Sequence, residues 1–262
     1  MPRMGLGTWP LTKQRAVTAV ASGIETGFRL IDTAENYDNE SSVGEGIRAS
    51  TIPREDIFVT SKFNAEWHSE RGVREVYERS LIALGVDYLD LFLIHWPNPW
   101  LGKFPEAWTG LCALYEDRAV RAIGVSNFQI HHLEELKSVG GQLPHVNQVQ
   151  LNPGLPQKEL HQWQQGLGIA TQSWRPLGDS LTLLEHPVVI EASQKCGYPP
   201  SAVLLAWQLK QGLSFVVRSE SKNHLAQNKL SLDVPSSDEL FKDFTQLINT
   251  GQRRLDPESI GH

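Results

Sequence analysis

Short apolar runs alternate along this chain with longer amphipathic stretches. The short runs lie near Gly5–Gly7, Arg29–Ile31, Ile57–Thr60, Leu89–Ile94, Ala122–Val125, Val146–Gln150, Ile169–Ser173 and Phe215–Val217, and they read as strands. Between them, helical periodicity covers stretches such as Thr12–Thr26, Arg71–Leu84, Pro105–Tyr115, Ile130–Ser138 and Ser201–Leu209. Strand–helix alternation of this kind is the signature of βαβ units and a parallel sheet. Eight strands with a helical segment after each predict an α/β fold closed as a (β/α)8 TIM barrel. A chain of 262 residues matches the roughly 250 that such a barrel uses, and no linker or low-complexity stretch divides it. One domain over residues 1–262 is therefore expected.

In a barrel of this type, reactive groups sit at the C-terminal ends of the strands. The stretch Gly27–Ile47 runs from an apolar strand (Phe28–Ile31) into a polar loop carrying Asp32 and Tyr37, then into a helix. Asp56–Ser61 leads to Lys62, and Leu89–Ile94 leads to His95. Singly, each of these residues has an ordinary reading. A loop tyrosine is usually a surface residue, a lysine after a strand usually faces solvent, and a histidine beside Trp96-Pro97 is often just packed. Asp, Tyr, Lys and His together in this pattern make a candidate active site.

The same residues belong to a longer series of motifs. These are Gly5-Leu6-Gly7-Thr8-Trp9, Ile31-Asp32-Thr33-Ala34 with Tyr37 and Asn39-Glu40, Thr60-Ser61-Lys62, His95-Trp96-Pro97, Gly124-Val125-Ser126-Asn127-Phe128, Asn147-Gln148-Val149-Gln150 and Pro176-Leu177-Gly178. In this order the series resembles the aldo-keto reductase family, from Gly5 to Asn228. Trp174 and the start Gly7-Thr8-Trp9-Pro10 are similar to the bacterial 2,5-diketo-D-gluconate reductase-like branch. The resemblance implies reduction of an aldehyde or ketone to the alcohol by hydride transfer from NADPH. Tyr37 would then be the proton donor. A free phenol has a pKa near 10, and the Lys62 ammonium is expected to lower it. Asp32 would hold Lys62 charged, and His95 would orient the carbonyl oxygen.

No side chain supplies a hydride, so a bound cofactor is required. No G-x-G-x-x-G opens a helix after a strand, which argues against a Rossmann domain. By resemblance the nicotinamide crosses the barrel mouth instead. Thr8, Trp9 and Asp32 are expected beside it, Ser126, Asn127 and Gln148 at its carboxamide, and Trp174 stacked on its face. Leu177 and Gly178 would line the pyrophosphate path. Arg175 is a departure from the family pattern that either contacts the pyrophosphate or salt-bridges to Asp179. The segment that grips the adenosine end also departs from it, reading Val217-Arg218-Ser219, His224 and Gln227-Asn228. Arg218 can fork onto a phosphate, whereas His224 is mostly neutral at pH 7. NADPH is favoured, with NADH as the alternative.

Trp9, Tyr37, Asn64, His95 and Trp96 are expected to form the substrate pocket, with Trp67 and Trp100 in nearby loops. Trp163 and Trp207 fall in helical patterns and read as packing residues. The remaining histidines, His68, His131, His132, His145, His161, His186 and His262, show no ligand-like grouping in sequence. The pair His131-His132 is expected to be solvated, and no metal site is expected. The net charge of −6 and the lack of a basic run speak against nucleic acid. No apolar run approaches the roughly 20 residues of a membrane helix, and two cysteines suit a reducing compartment. The partner that the resemblance implies is a small carbonyl substrate, and the protein is expected to be a cytoplasmic monomer. The floor hairpin usual in the family is largely absent, and the tail after Asn249 reads as short, which implies an open pocket. The competing readings are an NAD-preferring alcohol or sugar dehydrogenase of the same fold and a non-catalytic dinucleotide-binding sensor.

Overall fold

The computed structural model describes residues 1–261, so His262 lies outside it. Eight parallel strands form a closed barrel in chain order. They are β1 (Met4–Gly7), β2 (Leu30–Asp32), β3 (Phe58–Phe63), β4 (Leu91–Ile94), β5 (Ile123–Ser126), β6 (Val146–Gln150), β7 (Ala170–Trp174) and β8 (Ser214–Val217), and β8 closes on β1. The principal helices around them are α1 (Lys13–Thr26), α2 (Glu40–Arg48), α3 (Glu70–Leu84), α4 (Phe104–Glu116), α5 (Ile130–Val139), α6 (Lys158–Gly166), α7 (Pro187–Cys196), α8 (Pro200–Lys210) and α9 (Lys222–Lys229), followed by the short α10 (Asp238–Phe241). The barrel expected from the alternation is therefore the one observed.

The apolar positions that set the helical period are buried between the barrel and its helical ring, around Ile31, Val59, Phe92, Trp108 and Leu205. That burial holds the ring in place, because each helix has one apolar stripe to cover. Local signals set the ends. Ser69 accepts the Gly72 N–H to start α3. Gly27 adopts a φ of 109° to stop α1, returning its N–H to Gly23 and Ile24. The ring is tight where α2 meets α3: a Cβ on Gly44 would lie 1.8 Å from the Leu84 carbonyl oxygen.

Two strand boundaries differ from the sequence reading in ways that matter. β3 continues to Phe63, because Lys62 and Phe63 keep pairing with Leu93 and Ile94 of β4. Lys62 therefore stands inside a strand rather than after one. β4 starts at Leu91 instead of Leu89, since the buried Asp90 carboxylate takes the Val59 N–H with its side chain. Asp32 is the last residue of β2, and His95 directly follows β4.

The tail also differs from expectation. It crosses the barrel mouth, where Gln150 at the end of β6 donates to the Arg253 carbonyl and accepts the Leu255 N–H. Arg253 and Leu255 consequently line the central cavity. Among the described residues, no helix is long and apolar enough to cross a membrane.

The α2–α3 contact gives a direct test of this packing. Gly44→Ala should destabilise the protein by about 3 kcal/mol in urea unfolding, because backbone and not a flexible side chain blocks the new methyl. A loss below about 0.5 kcal/mol would mean that the two helices are free to separate.

Candidate active site

At the C-terminal mouth of the barrel, β2, β3 and β4 bring the four expected residues together. Lys62 Nζ lies 2.6 Å from Asp32 Oδ1 and donates to the Thr33 carbonyl at 2.8 Å. The same ammonium is 3.4 Å from the Tyr37 hydroxyl, which is also 3.4 Å from His95 Nε2. The Tyr37 and His95 rings meet edge to face, with centroids 5.5 Å apart. The free Asp32 oxygen is occupied from across the barrel, where Gln148 Nε2 donates to Oδ2 at 2.7 Å. Gln148 gives its second amide proton to Gln172 Oε1, also at 2.7 Å. A fully buried lysine is thus matched to a carboxylate whose two oxygens are both hydrogen-bonded, the condition under which a buried ion pair is tolerated.

The balance of forces on Tyr37 corrects the sequence reading. Burial pushes its phenol above the usual value, and Asp32 adds to that push. Lys62 pulls the other way through its charge and its hydrogen bond, but burial prevails. Burial also works against the charge on Lys62, but there Asp32 and Tyr37 outweigh it and the pKa is raised. The site therefore holds a protonated phenol beside a firmly charged ammonium.

A cavity of about 1150 Å³ opens from this cluster. Thr8, Trp9, Ser126, Asn127, Gln148, Trp174, Arg175, Leu177, Gly178 and Arg218 line it, together with Asp32, Tyr37, His95 and Trp96. Asn127 organises one wall: its amide donates to the His95 carbonyl and to Ser126 Oγ, and its Oδ1 accepts the Trp174 indole N–H. The Arg175 guanidinium sits 5.3 Å from the Trp174 ring centroid and forms an ion pair of 2.6 Å with Asp179, one of the two roles expected of it.

Ser219, His224, Gln227 and Asn228 follow β8 and do not line the cavity. His224 is exposed on the first turn of α9, while Asn228 is buried. A deep end with amides and a hydroxyl, an indole wall and a cation on the outer rim fit an extended dinucleotide in shape and chemistry.

Other positions fell differently. Asn64 does not line the cavity; it is buried behind His95, with Oδ1 3.1 Å from the ring Nδ1. Trp67 packs under the Arg79 guanidinium, 4.6 Å from ring centroid to guanidinium carbon, and away from the cavity. Trp100 is exposed and also outside the cavity lining, whereas Trp207 is buried as a packing residue.

The histidine pair at the start of α5 is only half solvated, because His132 is buried. It also does form a group with an acid: His131 and His132 Nε2 lie 3.1 and 3.2 Å from Glu258 of the tail. Burial pushes His132 down to about 4, and His131 adds to the fall. Its Nδ1 accepts the Gln129 N–H. The single ring proton is therefore on Nε2, which lies near Glu258 without making a hydrogen bond. No residue in the sequence near α5 pointed to Glu258, which lies more than a hundred positions away.

The ion pair makes a testable demand. Lys62→Met should cost about 3–5 kcal/mol in chemical unfolding, since it strands a buried carboxylate. Adding Asp32→Leu should recover part of that loss. A single variant as stable as the parent would contradict the burial described.

Comparisons with known proteins agree with this geometry. The aldo/keto reductase family model matches residues 3–249. Methylglyoxal reductase DkgA of Salmonella typhimurium is 35% identical, over 100% of this chain and 94% of that protein. The uncharacterized oxidoreductase YtbE of Bacillus subtilis is 42% identical, over 89% of this chain and 84% of that protein. Among solved structures, a mutant of Gox0644 in complex with NADPH superposes with a TM-score of 0.93 at 31% identity, covering 99% of this chain and 94% of that one. With the barrel, the Asp32–Tyr37–Lys62–His95 cluster and these likenesses in agreement, the chain belongs to the aldo/keto reductase family and is an oxidoreductase of that family.

Proposed function

We propose that this protein reduces a small aldehyde or ketone to the alcohol with NADPH, and that Tyr37 delivers the proton. The observation that carries the reading is the Tyr37 hydroxyl held 3.4 Å from both Lys62 Nζ and His95 Nε2 at the floor of the cavity. NADPH, bound along the cavity, would supply the hydride.

The residues then divide the remaining work. A phenol is protonated at neutral pH and burial raises its pKa further, so Tyr37 has a proton to give when negative charge develops on the carbonyl oxygen. The ammonium of Lys62 stabilises the phenolate left behind, and Asp32, the Thr33 carbonyl and Gln148 keep that ammonium in place. His95, on the other side of the hydroxyl, limits where the carbonyl oxygen can sit. Trp9, Trp96 and Trp174 give the cavity aromatic walls. Ser126 and Asn127 would orient the carboxamide, and Arg218 would face the phosphates at the rim. Ser219, His224, Gln227 and Asn228 would extend that grip toward the adenosine.

NADH use has one observation in its favour. Glu220 lies 4.0 Å from Arg218 and 2.7 Å from Arg15, so the cation nearest the adenosine end is shared with a carboxylate. A carboxylate at such a place suits a free ribose hydroxyl better than a phosphate.

Two results would test these assignments. Tyr37→Phe should lower the steady-state reduction rate by at least about 100-fold while cofactor titration changes little, because only the proton donor is removed. Retained turnover would end the assigned role. His224→Arg should tighten NADPH more than NADH in fluorescence titrations. An equal gain for both cofactors would place His224 away from the 2′-phosphate.

A further inference from the structure

Gln172 is a fully buried polar residue inside the barrel with no part in the proposed chemistry. It sits on β7 directly opposite Gln148 of β6 in the strand register. A side-chain amide shut away from water costs stability unless it is hydrogen-bonded, and Gln172 finds its partner in that neighbour. Gln172 Oε1 accepts from Gln148 Nε2 at 2.7 Å, and the same nitrogen donates to Asp32 Oδ2 at 2.7 Å.

The ion pair settles which way both amides face. A carboxylate paired with an ammonium has only acceptors to offer, so the Gln148 atom beside Asp32 is the nitrogen. That nitrogen has one proton left after Asp32, and the Gln172 atom that takes it is the oxygen. Gln172 Nε2 is turned the other way, toward the Met1 sulfur at 3.8 Å. Both protons of the Gln148 amide are thus used inside the barrel. Gln148 also lines the cavity, and Oε1 is the polar atom that its side chain has left to show there.

We infer that Gln172 is a positioning residue: it holds the Gln148 amide in a single orientation, protons toward the ion pair and oxygen toward the cavity, so that the cavity offers an acceptor to the amino group of a nicotinamide. This rests on the reductase reading above and deepens its cofactor site. Asp32 alone leaves the amide free to pivot about one hydrogen bond. A second contact, from β7 on the other side, fixes its plane.

The main chain of Gln148 carries the effect further. Its carbonyl accepts the Asn127 N–H at 2.9 Å and the Ser126 hydroxyl at 2.8 Å. The two residues proposed to orient the carboxamide therefore hang on the same residue that Gln172 steadies. One buried glutamine, which touches neither the cavity nor Tyr37, in this way serves the ion pair and the cofactor site together.

Titration of the protein's tryptophan fluorescence with NADP⁺ and with its 3-acetylpyridine analogue tests this. The analogue keeps the carbonyl and replaces the amino group by a methyl, so it removes only the donor meant for Gln148. The parent should bind NADP⁺ at least about 10-fold more tightly than the analogue, whose methyl leaves the Gln148 oxygen unpaired. Gln172→Leu should shrink that preference to about 3-fold or less, because the freed amide can turn. Gln172→Glu keeps an oxygen in place and should keep the parent's preference. A merely structural role would weaken both ligands alike and leave their ratio unchanged. A parent that binds the two equally would overturn the proposal, as would Gln172→Leu with the parent's ratio or Gln172→Glu without it. Should Gln172→Leu fail to fold, the parent and Gln172→Glu still decide. The titrations need no turnover, so a parent that shows the preference but reduces no aldehyde would refute the reductase reading and leave the role of Gln172 standing.

Discussion

The ion pair between Lys62 and Asp32, closed inside the barrel, is the constraint on which the rest of the site depends. An ammonium with no exposed surface is tolerated only where its charge is answered at contact distance and its protons are used. Asp32 meets the first requirement and the Thr33 carbonyl helps with the second. The demand then spreads outward. Asp32 has a second oxygen to satisfy, and Gln148 reaches across the barrel for it, with Gln172 steadying Gln148 in turn. Four strands are thereby tied to the position of one nitrogen atom, and that nitrogen sets the position of the Tyr37 hydroxyl.

The same arrangement explains how an apolar setting and a charged site coexist. Burial alone would make the phenol a poor acid and the lysine a poor cation. Placing them beside one another with a carboxylate below reverses the effect on lysine but only moderates it on tyrosine. The outcome suits the role proposed for Tyr37, in which the phenol would keep its proton until negative charge appears on a neighbouring oxygen and a fixed positive charge would meet the phenolate. Farther out, the cavity wall is built from groups that already hold one another. The Asn127 side chain spans the His95 carbonyl, Ser126 and Trp174, so the indole keeps its orientation before anything binds.

The strand–helix alternation and the order of Asp32, Tyr37, Lys62 and His95 were legible in the sequence, because period and strand-end position are local properties. The family motifs carried most of the cavity lining as well. What escaped were the long-range consequences of closure. Gln148 and Asp32 are 116 positions apart, and nothing near either residue announces that they touch. Gln172 carried no motif at all. The direction of the Tyr37 shift needed the depth of burial, which charge pattern alone does not supply.

The tail illustrates the same limit, since its clamp by Gln150 depends on where residues 253–255 return over the mouth. Asn64 was noticed, but for the wrong surface: its sequence position said only that it follows Lys62 and Phe63. Whether its side chain faces the cavity or His95 is decided by the path of the backbone beyond β3.

The central claim is that this cavity is a working carbonyl reductase driven by a nicotinamide cofactor. The most direct measurement is steady-state oxidation of NADPH, with NADH in parallel, by the purified protein supplied with 4-nitrobenzaldehyde. The account predicts aldehyde-dependent turnover, with the higher kcat/KM for NADPH. Measurable cofactor binding without turnover of this reactive aldehyde by either cofactor would contradict it.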